Sequence, residues 1–158
     1  MPRTPPVPEA ITSPVPLAEL FDDLTAAGRG WVNVMPEIPD GVEVPLTPNA
    51  LAIFSKRGPF VPLGTWTAPS AGRGGRVEPS EVGIQHGAAR RGIDALAEHA
   101  AAPSPTWTVA SDHPRRGVVV RPSIDATTTE VATWLLGALR VLCIPPQTGR
   151  FVVYRYGG

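Results

Sequence analysis

Residues Ser80 to Arg121 decide the fold, and they read SEVGIQHGAARRGIDALAEHA over 80–100 and TWTVASDHPRRGVVVR over 106–121. On a helical wheel, one face of the first segment carries Val82, His86, Ala89, Ile93, Leu96 and Ala100. Steps of three and four residues are typical of an amphipathic helix. The spacing therefore predicts a helix that begins near Pro79 or Ser80 and directs His86 toward the core.

Three glycines interrupt this predicted helix, at Gly83, Gly87 and Gly92. Each weakens a helix interior by about 1 kcal/mol relative to alanine. Two interpretations follow: the helix starts late, near Gly87, or another group packs very close to its first turns.

The second segment predicts a β-hairpin, with strands over Thr106–Ser111 and Gly117–Arg121. Gly117 can adopt the positive φ that closes such a turn. Asp112 is placed to accept backbone N–H groups across the same turn. Helix and hairpin are consecutive, so we expect them to be neighbours in space.

The flanking sequence predicts two further helices. Apolar residues spaced by three and four predict a helix over Leu17–Ala27, with Gly28 suited to end it in the left-handed conformation. A second, more apolar helix is predicted over Thr128–Cys143, where Thr127 and Glu130 have the spacing of a capping box. A helix this apolar is deeply buried or forms part of an interface.

Short apolar runs separated by turn residues predict the remaining strands. These cover Trp31–Met35, Val42–Leu46, Leu51–Ser55, Phe60–Thr67 and Phe151–Tyr156. The glycine-rich segment Ala68–Arg76 is predicted to be a flexible loop. Its backbone N–H groups could also hold a phosphate, but the segment matches neither of the usual phosphate-binding glycine motifs.

Strands that are joined by short turns and followed by helices indicate an α+β fold. We predict one largely antiparallel sheet of five to seven strands with two or three helices packed on one face, since short hairpin loops cannot join parallel neighbours. The length suits one domain. Residues 1–16, which include six of the 20 prolines, are predicted to be a flexible tail. Residues 17–158 are predicted to form the single domain.

The charge of the chain is zero overall but unevenly distributed. The first fifty residues carry an excess of five acidic groups, and the remainder carries an excess of five basic groups. A neutral chain does not favour nucleic-acid binding by phosphate neutralisation. The asymmetry indicates that the two halves face each other, or that two copies do.

Cys143 is the single cysteine, so an intrachain disulfide is impossible. The longest apolar run is too short to span a bilayer. We see no signal peptide and therefore expect a cytoplasmic protein with no membrane partner. Histidines and cysteine lack the paired spacings of a zinc site, so no metal or cofactor is expected.

Two polar clusters could carry chemistry. The first holds His86 with Arg90 and Arg91, and the second holds Asp112, His113, Arg115 and Arg116. If the hairpin tip folds back over the start of the helix, His86, Arg90, His113 and Arg115 would converge on a small anion pocket. The alternatives are a hydrogen-bonded core histidine and a solvated hairpin tip.

No stretch contains a catalytic signature such as GxSxG or SxxK. The leading hypothesis is thus a non-catalytic domain that binds a partner protein or a second copy of itself. The alternative hypothesis is a protein that binds a small anionic ligand, or an enzyme that acts on one. Its candidate site residues are His86, Arg90, Asp112, His113, Arg115 and Arg116.

Overall fold

The computed structural model describes residues 6–44 and 58–157. Within them, nine strands and three α-helices follow one another along the chain. In chain order the elements are β1 (Glu9–Ile11), α1 (Pro14–Ala27), β2 (Trp31–Pro36), β3 (Leu63–Thr67), β4 (Ser70–Ala71), β5 (Val77–Glu78), β6 (Glu81–Gln85), α2 (Gly92–Glu98), β7 (Thr108–His113), β8 (Gly117–Arg121), α3 (Thr128–Leu142) and β9 (Phe151–Tyr156).

Seven of the strands form one antiparallel sheet in the order β1-β9-β2-β3-β6-β8-β7. The short strands β4 and β5 pair with each other in a separate ribbon. This architecture confirms the predicted α+β class, the antiparallel sheet and its upper count of seven strands.

The helices cover one face of the sheet and bury its alternate residues. Helix α3 packs against both α1 and α2, and it also contacts β2 and β3. Trp66 of β3 stacks on Phe21 of α1, with ring centroids 4.2 Å apart. The buried strand residues on this face are Ile11, Val32, Val34, Trp66, Val82, Ile84, Val118, Val120, Phe151 and Val153.

Helix α3 is apolar because it is buried within the chain. Its buried residues are Val131, Ala132, Leu135, Leu136, Ala138, Leu139 and Leu142. The capping box is present as predicted: the Thr127 side chain accepts from the Glu130 backbone N–H, and the Glu130 carboxylate accepts from the Thr127 N–H. The sequence predicted that this helix is either deeply buried or part of an interface, and the structure shows deep burial.

The predicted long helix over residues 80–100 is wrong in its first half. Residues Glu81–Gln85 form β6, between β3 and β8 in the middle of the sheet, and only Gly92–Glu98 form a helix. Val82 and Ile84 are both buried, as a two-residue period requires in a strand. Two residues that are two positions apart lie about 200° apart around a helix, so Val82 and Ile84 share a face only in a strand. The predicted helical face counted Val82 and left Ile84 out.

Several other boundaries differ from the sequence predictions. The predicted tail includes Glu9–Ile11, which pair with β9 as an edge strand, and Pro14, where α1 begins. The predicted loop over Ala68–Arg76 contains β4. Residues 42–44 lie outside the strands, and the strands predicted over 45–46 and 51–55 lie outside the described residues.

Candidate functional site

His86 lies directly after β6 and is fully buried, as the sequence predicted for its side chain. Its Nδ1 accepts a hydrogen bond from the Ala88 N–H at 3.3 Å. A neutral imidazole whose Nδ1 accepts must carry its proton on Nε2. Among the described residues no partner reaches Nε2, so His86 holds an unsatisfied N–H inside the protein.

Burial lowers the pKa of His86 below its ordinary value, and the nearby charge of Asp112 opposes this shift only in part. Loss of hydration disfavours the charged imidazolium more than the carboxylate stabilises it. The ring is thus neutral near pH 7 and cannot act as a cationic anion ligand.

Asp112 connects the hairpin to the start of α2. Its side chain is 5 % exposed, and its Oδ1 accepts the Gly92 N–H at 2.8 Å while its Oδ2 lies 3.4 Å from Arg91 Nε. A Cβ at residue 92 would lie 2.7 Å from His86 Nε2. Gly92 therefore lets α2 approach His86 closely. Asp112 was predicted to accept backbone N–H groups across its own turn, but it accepts the N–H at the start of α2 instead.

The remaining predicted site residues have other contacts. Arg90 forms two hydrogen bonds with Glu98, at 2.7 and 2.6 Å, on the exposed side of α2. His113 Nδ1 accepts the backbone N–H groups of Arg115 and Arg116, at 3.1 and 3.2 Å, inside the hairpin turn.

The structure thus brings His86 and Asp112 together around Gly92 and gives Arg90 and His113 local partners. The predicted anion pocket stays a hypothesis. Arg91 belongs to the same polar cluster as Arg90 but was not among the predicted site residues, and it is the arginine that pairs with Asp112. Both arginines share the same sequence context, and only the direction in which α2 begins distinguishes them.

The second candidate site is the sheet face opposite the helices, which we call the uncovered face. No described helix lies over it. On β2 and β9 it presents large side chains: Trp31 is 39 % exposed and stacks on Tyr156 with centroids 5.0 Å apart. Met35, Val152 and Tyr154 share this side of the sheet and are half-buried. We call the part of the face formed by β2 and β9 the bulky half.

On β6 and β8 the uncovered face contains a trough, and we call this part the lean half. Gly83 lies opposite Thr65 of β3 on one side and Val119 of β8 on the other. A trough of about 240 Å³ runs over it, with Arg116 among its lining residues. This half carries charge, because Glu81 and Arg121 form an ion pair at 3.0 Å.

No cluster of three histidine, cysteine, aspartate or glutamate side chains that could hold a metal ion occurs in residues 6–44 and 58–157. In the same part of the chain, no helix combines the length and apolar character that crossing a bilayer demands.

Comparisons with known proteins do not identify a family. No protein-family model matches the chain, and neither the curated proteins nor the solved structures searched gave a match. The two sites described above are therefore the basis for inferring a function.

Proposed function

We propose that this chain is a non-catalytic interaction domain that associates with a second copy of itself through the uncovered face. The observation that carries the proposal is the bulky half, where Trp31 and Tyr156 form an aromatic stack with no described element over it. Exposed aromatic and apolar side chains on one continuous surface are typical of protein interfaces.

The size of the uncovered face supports this proposal. Seven strands spaced about 4.8 Å apart span about 30 Å, and six residues of strand span about 20 Å. The flat footprint is then roughly 600 Å², and the accessible surface of protruding side chains is larger. Standard protein interfaces bury about 800 Å² per partner. The face is therefore large enough for a stable dimer.

Features that suggested other interfaces have explanations within the chain. The apolar residues of α3 are buried in the core. The acidic first part of the chain pairs with the basic remainder: Glu37 binds Arg150 at 2.6 Å, and Asp23 lies 3.5 Å from Arg155. These contacts favour the sheet face over α3 as the place where a partner binds.

The alternative, a small-anion site built on the six polar residues, has weaker support. His86 is buried with a lowered pKa, and Arg90 already binds a carboxylate. We also propose a cytoplasmic location, in which the lone Cys143 stays reduced; burial raises the pKa of its thiol and lowers its reactivity. The zero net charge supports a protein partner rather than nucleic acid.

Sedimentation equilibrium tests the proposal with Trp31→Glu and its matched control Ile124→Glu. Ile124 is 99 % exposed and lies outside the sheet. We expect the wild type and the Ile124 variant to be dimers. Loss of an interface tryptophan costs about 2 kcal/mol or more, so Trp31→Glu should weaken the dimer at least about thirtyfold. A wild-type chain that stays monomeric at millimolar concentration contradicts the proposal.

A further inference from the structure

No contact among the residues that the structure describes explains why residue 83 is a glycine. Its φ lies outside the positive region, and a Cβ there would come no closer than 4.0 Å to another atom, the Val118 carbonyl oxygen. By contrast, a Cβ at Gly64 on the helix side of β3 would lie 2.8 Å from Leu135 Cδ1. Packing therefore requires glycine at residue 64 but leaves room for a side chain at residue 83.

A glycine in a central strand weakens the sheet, and it often marks a place where another backbone or ligand approaches closely. Gly83 lies under the trough of the lean half, two strands away from the bulky half. The trough lies in the lean half and the aromatic stack lies in the bulky half, and β3 separates the two halves. Each half is therefore shaped to receive the other half of a second molecule rather than a copy of itself.

We propose that two copies pack with their uncovered faces together around a two-fold axis that runs along β3. This inference rests on the proposed self-association. Rotation about such an axis places β2 of one copy over β6 of the other, and β9 over β8. The sheet register aligns Asn33 with Thr65 and Thr65 with Gly83, so Asn33 of each copy lies above Gly83 of the second copy.

The other in-plane axis, perpendicular to the strands, packs the surfaces less well. It places β6 over β6, so Gly83 faces Gly83 and both troughs remain empty. It also places β2 over β2, so large side chains oppose large side chains. Interfaces pack as densely as protein interiors, which favours bulky half against lean half.

The charges on the uncovered face agree with the axis along β3. Tyr156 and Trp31 lie in the same cross-strand row as the Glu81–Arg121 pair. Packing β9 over β8 brings the Tyr156 ring of one copy above the Arg121 guanidinium of the other. A guanidinium over an aromatic face is attractive. The same rotation places Trp31 over Glu81, whose carboxylate stays paired with Arg121.

Cysteine cross-linking distinguishes the two axes. The experiment uses full-length chains with Cys143→Ser as background, carrying either Asn33→Cys or Gly83→Cys, co-expressed with different tags. Within one chain the two positions are about 10 Å apart, across two strand spacings, so they are placed on separate chains. With a short bis-maleimide, we expect the mixed pair to cross-link and neither variant to cross-link with itself.

Each outcome has one meaning. Self-cross-linking of both variants without the mixed product overturns the axis along β3 and leaves the dimer intact. No cross-link, together with a monomer in sedimentation, overturns the proposed function itself. No cross-link from a chain that sediments as a dimer overturns the assignment of the uncovered face.

Filling the trough gives an independent measurement. Gly83→Leu should leave the monomer fold intact, because the position has room for a side chain. In the dimer it overpacks the contact with Asn33, at about 1–3 kcal/mol, which weakens dimerisation by about tenfold to a hundredfold. Gly83→Ala is the matched control with a much smaller effect. An unchanged dimer constant for Gly83→Leu overturns the inference.

Discussion

His86 keeps an uncharged imidazole in the interior, between the end of β6 and the start of α2. One ring nitrogen has a partner, and the other faces the backbone at Gly92, where even a methyl group would be too close. Protonation would place a cation in a site that is fully buried. The site therefore disfavours the charged form, and only Asp112 offsets part of that penalty.

Stability should consequently fall in mild acid. In the unfolded chain a histidine titrates near its ordinary pKa of about 6.5, whereas the pKa of His86 is lower in the folded state. Above the unfolded pKa both states are neutral and the free energy of unfolding is constant. As the pH falls below that value, the unfolded state binds the proton first, and stability drops until the folded pKa is reached.

Urea unfolding of the wild type and His86→Gln between pH 8 and pH 5 measures this effect. We expect His86→Gln to lose the contribution of His86 to the pH dependence of the free energy of unfolding. That contribution is about 1.4 kcal/mol for each unit by which the pKa values of the folded and unfolded states differ. His99→Gln is the matched control, because it removes a histidine and leaves His86 in place. An identical pH dependence for His86→Gln and the wild type would contradict the burial argument.

Single residues with a strong backbone requirement were predictable from sequence. Gly28 ends α1 with φ 68°, and Gly117 closes the hairpin with φ 90°, as their positions indicated. The burial of His86 was predicted too, but from a helical period that is wrong at this position; it agrees instead with the two-residue period of Val82 and Ile84 in β6. The bond from Asp112 to the Gly92 N–H was not, because it joins residues on different elements and no local pattern encodes it.

At the scale of elements, long amphipathic periods predicted better than short ones. Helix α3 and strand β9 were predicted to within one residue because seven buried residues or six alternating ones define a single period. Strand β6 contains only two apolar residues, and their two-residue spacing was too short a signal to outweigh the helical period of the residues that follow. Pairing with β3 on one side and β8 on the other makes this segment a strand, and that pairing is a property of the whole fold.

The cap of α3 allows a prediction at this scale. Thr127→Ala removes both the acceptor for the Glu130 N–H and the geometry of the reciprocal bond. We expect the free energy of unfolding to fall by about 0.5–2 kcal/mol. Thr133→Ala, an exposed site inside the same helix, is the control and should be neutral or slightly stabilising. Equal losses in the two variants would show that the cap does not stabilise this helix.

Across the whole molecule, the antiparallel class followed from the short connections, but the strand order did not. Strand β9 lies between β1 and β2, so the last strand joins the two earliest ones. Glu37 and Arg150 form an ion pair between the segments that follow β2 and precede β9, although 113 residues separate them in sequence. Many strands can satisfy the same alternating pattern, and only their simultaneous packing selects neighbours.

The pairing of β1 with β9 makes Ile11 part of the core, although Ile11 lies in the segment predicted to be a tail. Ile11 is 3 % exposed and pairs with Phe151 of β9. Ile11→Ala should therefore cost about 2–5 kcal/mol in the free energy of unfolding, as for other buried isoleucines. Val7→Ala, at a site that is 84 % exposed, should have almost no effect. Chemical denaturation of both variants measures the difference, and equal stabilities would mean that the domain begins after residue 11.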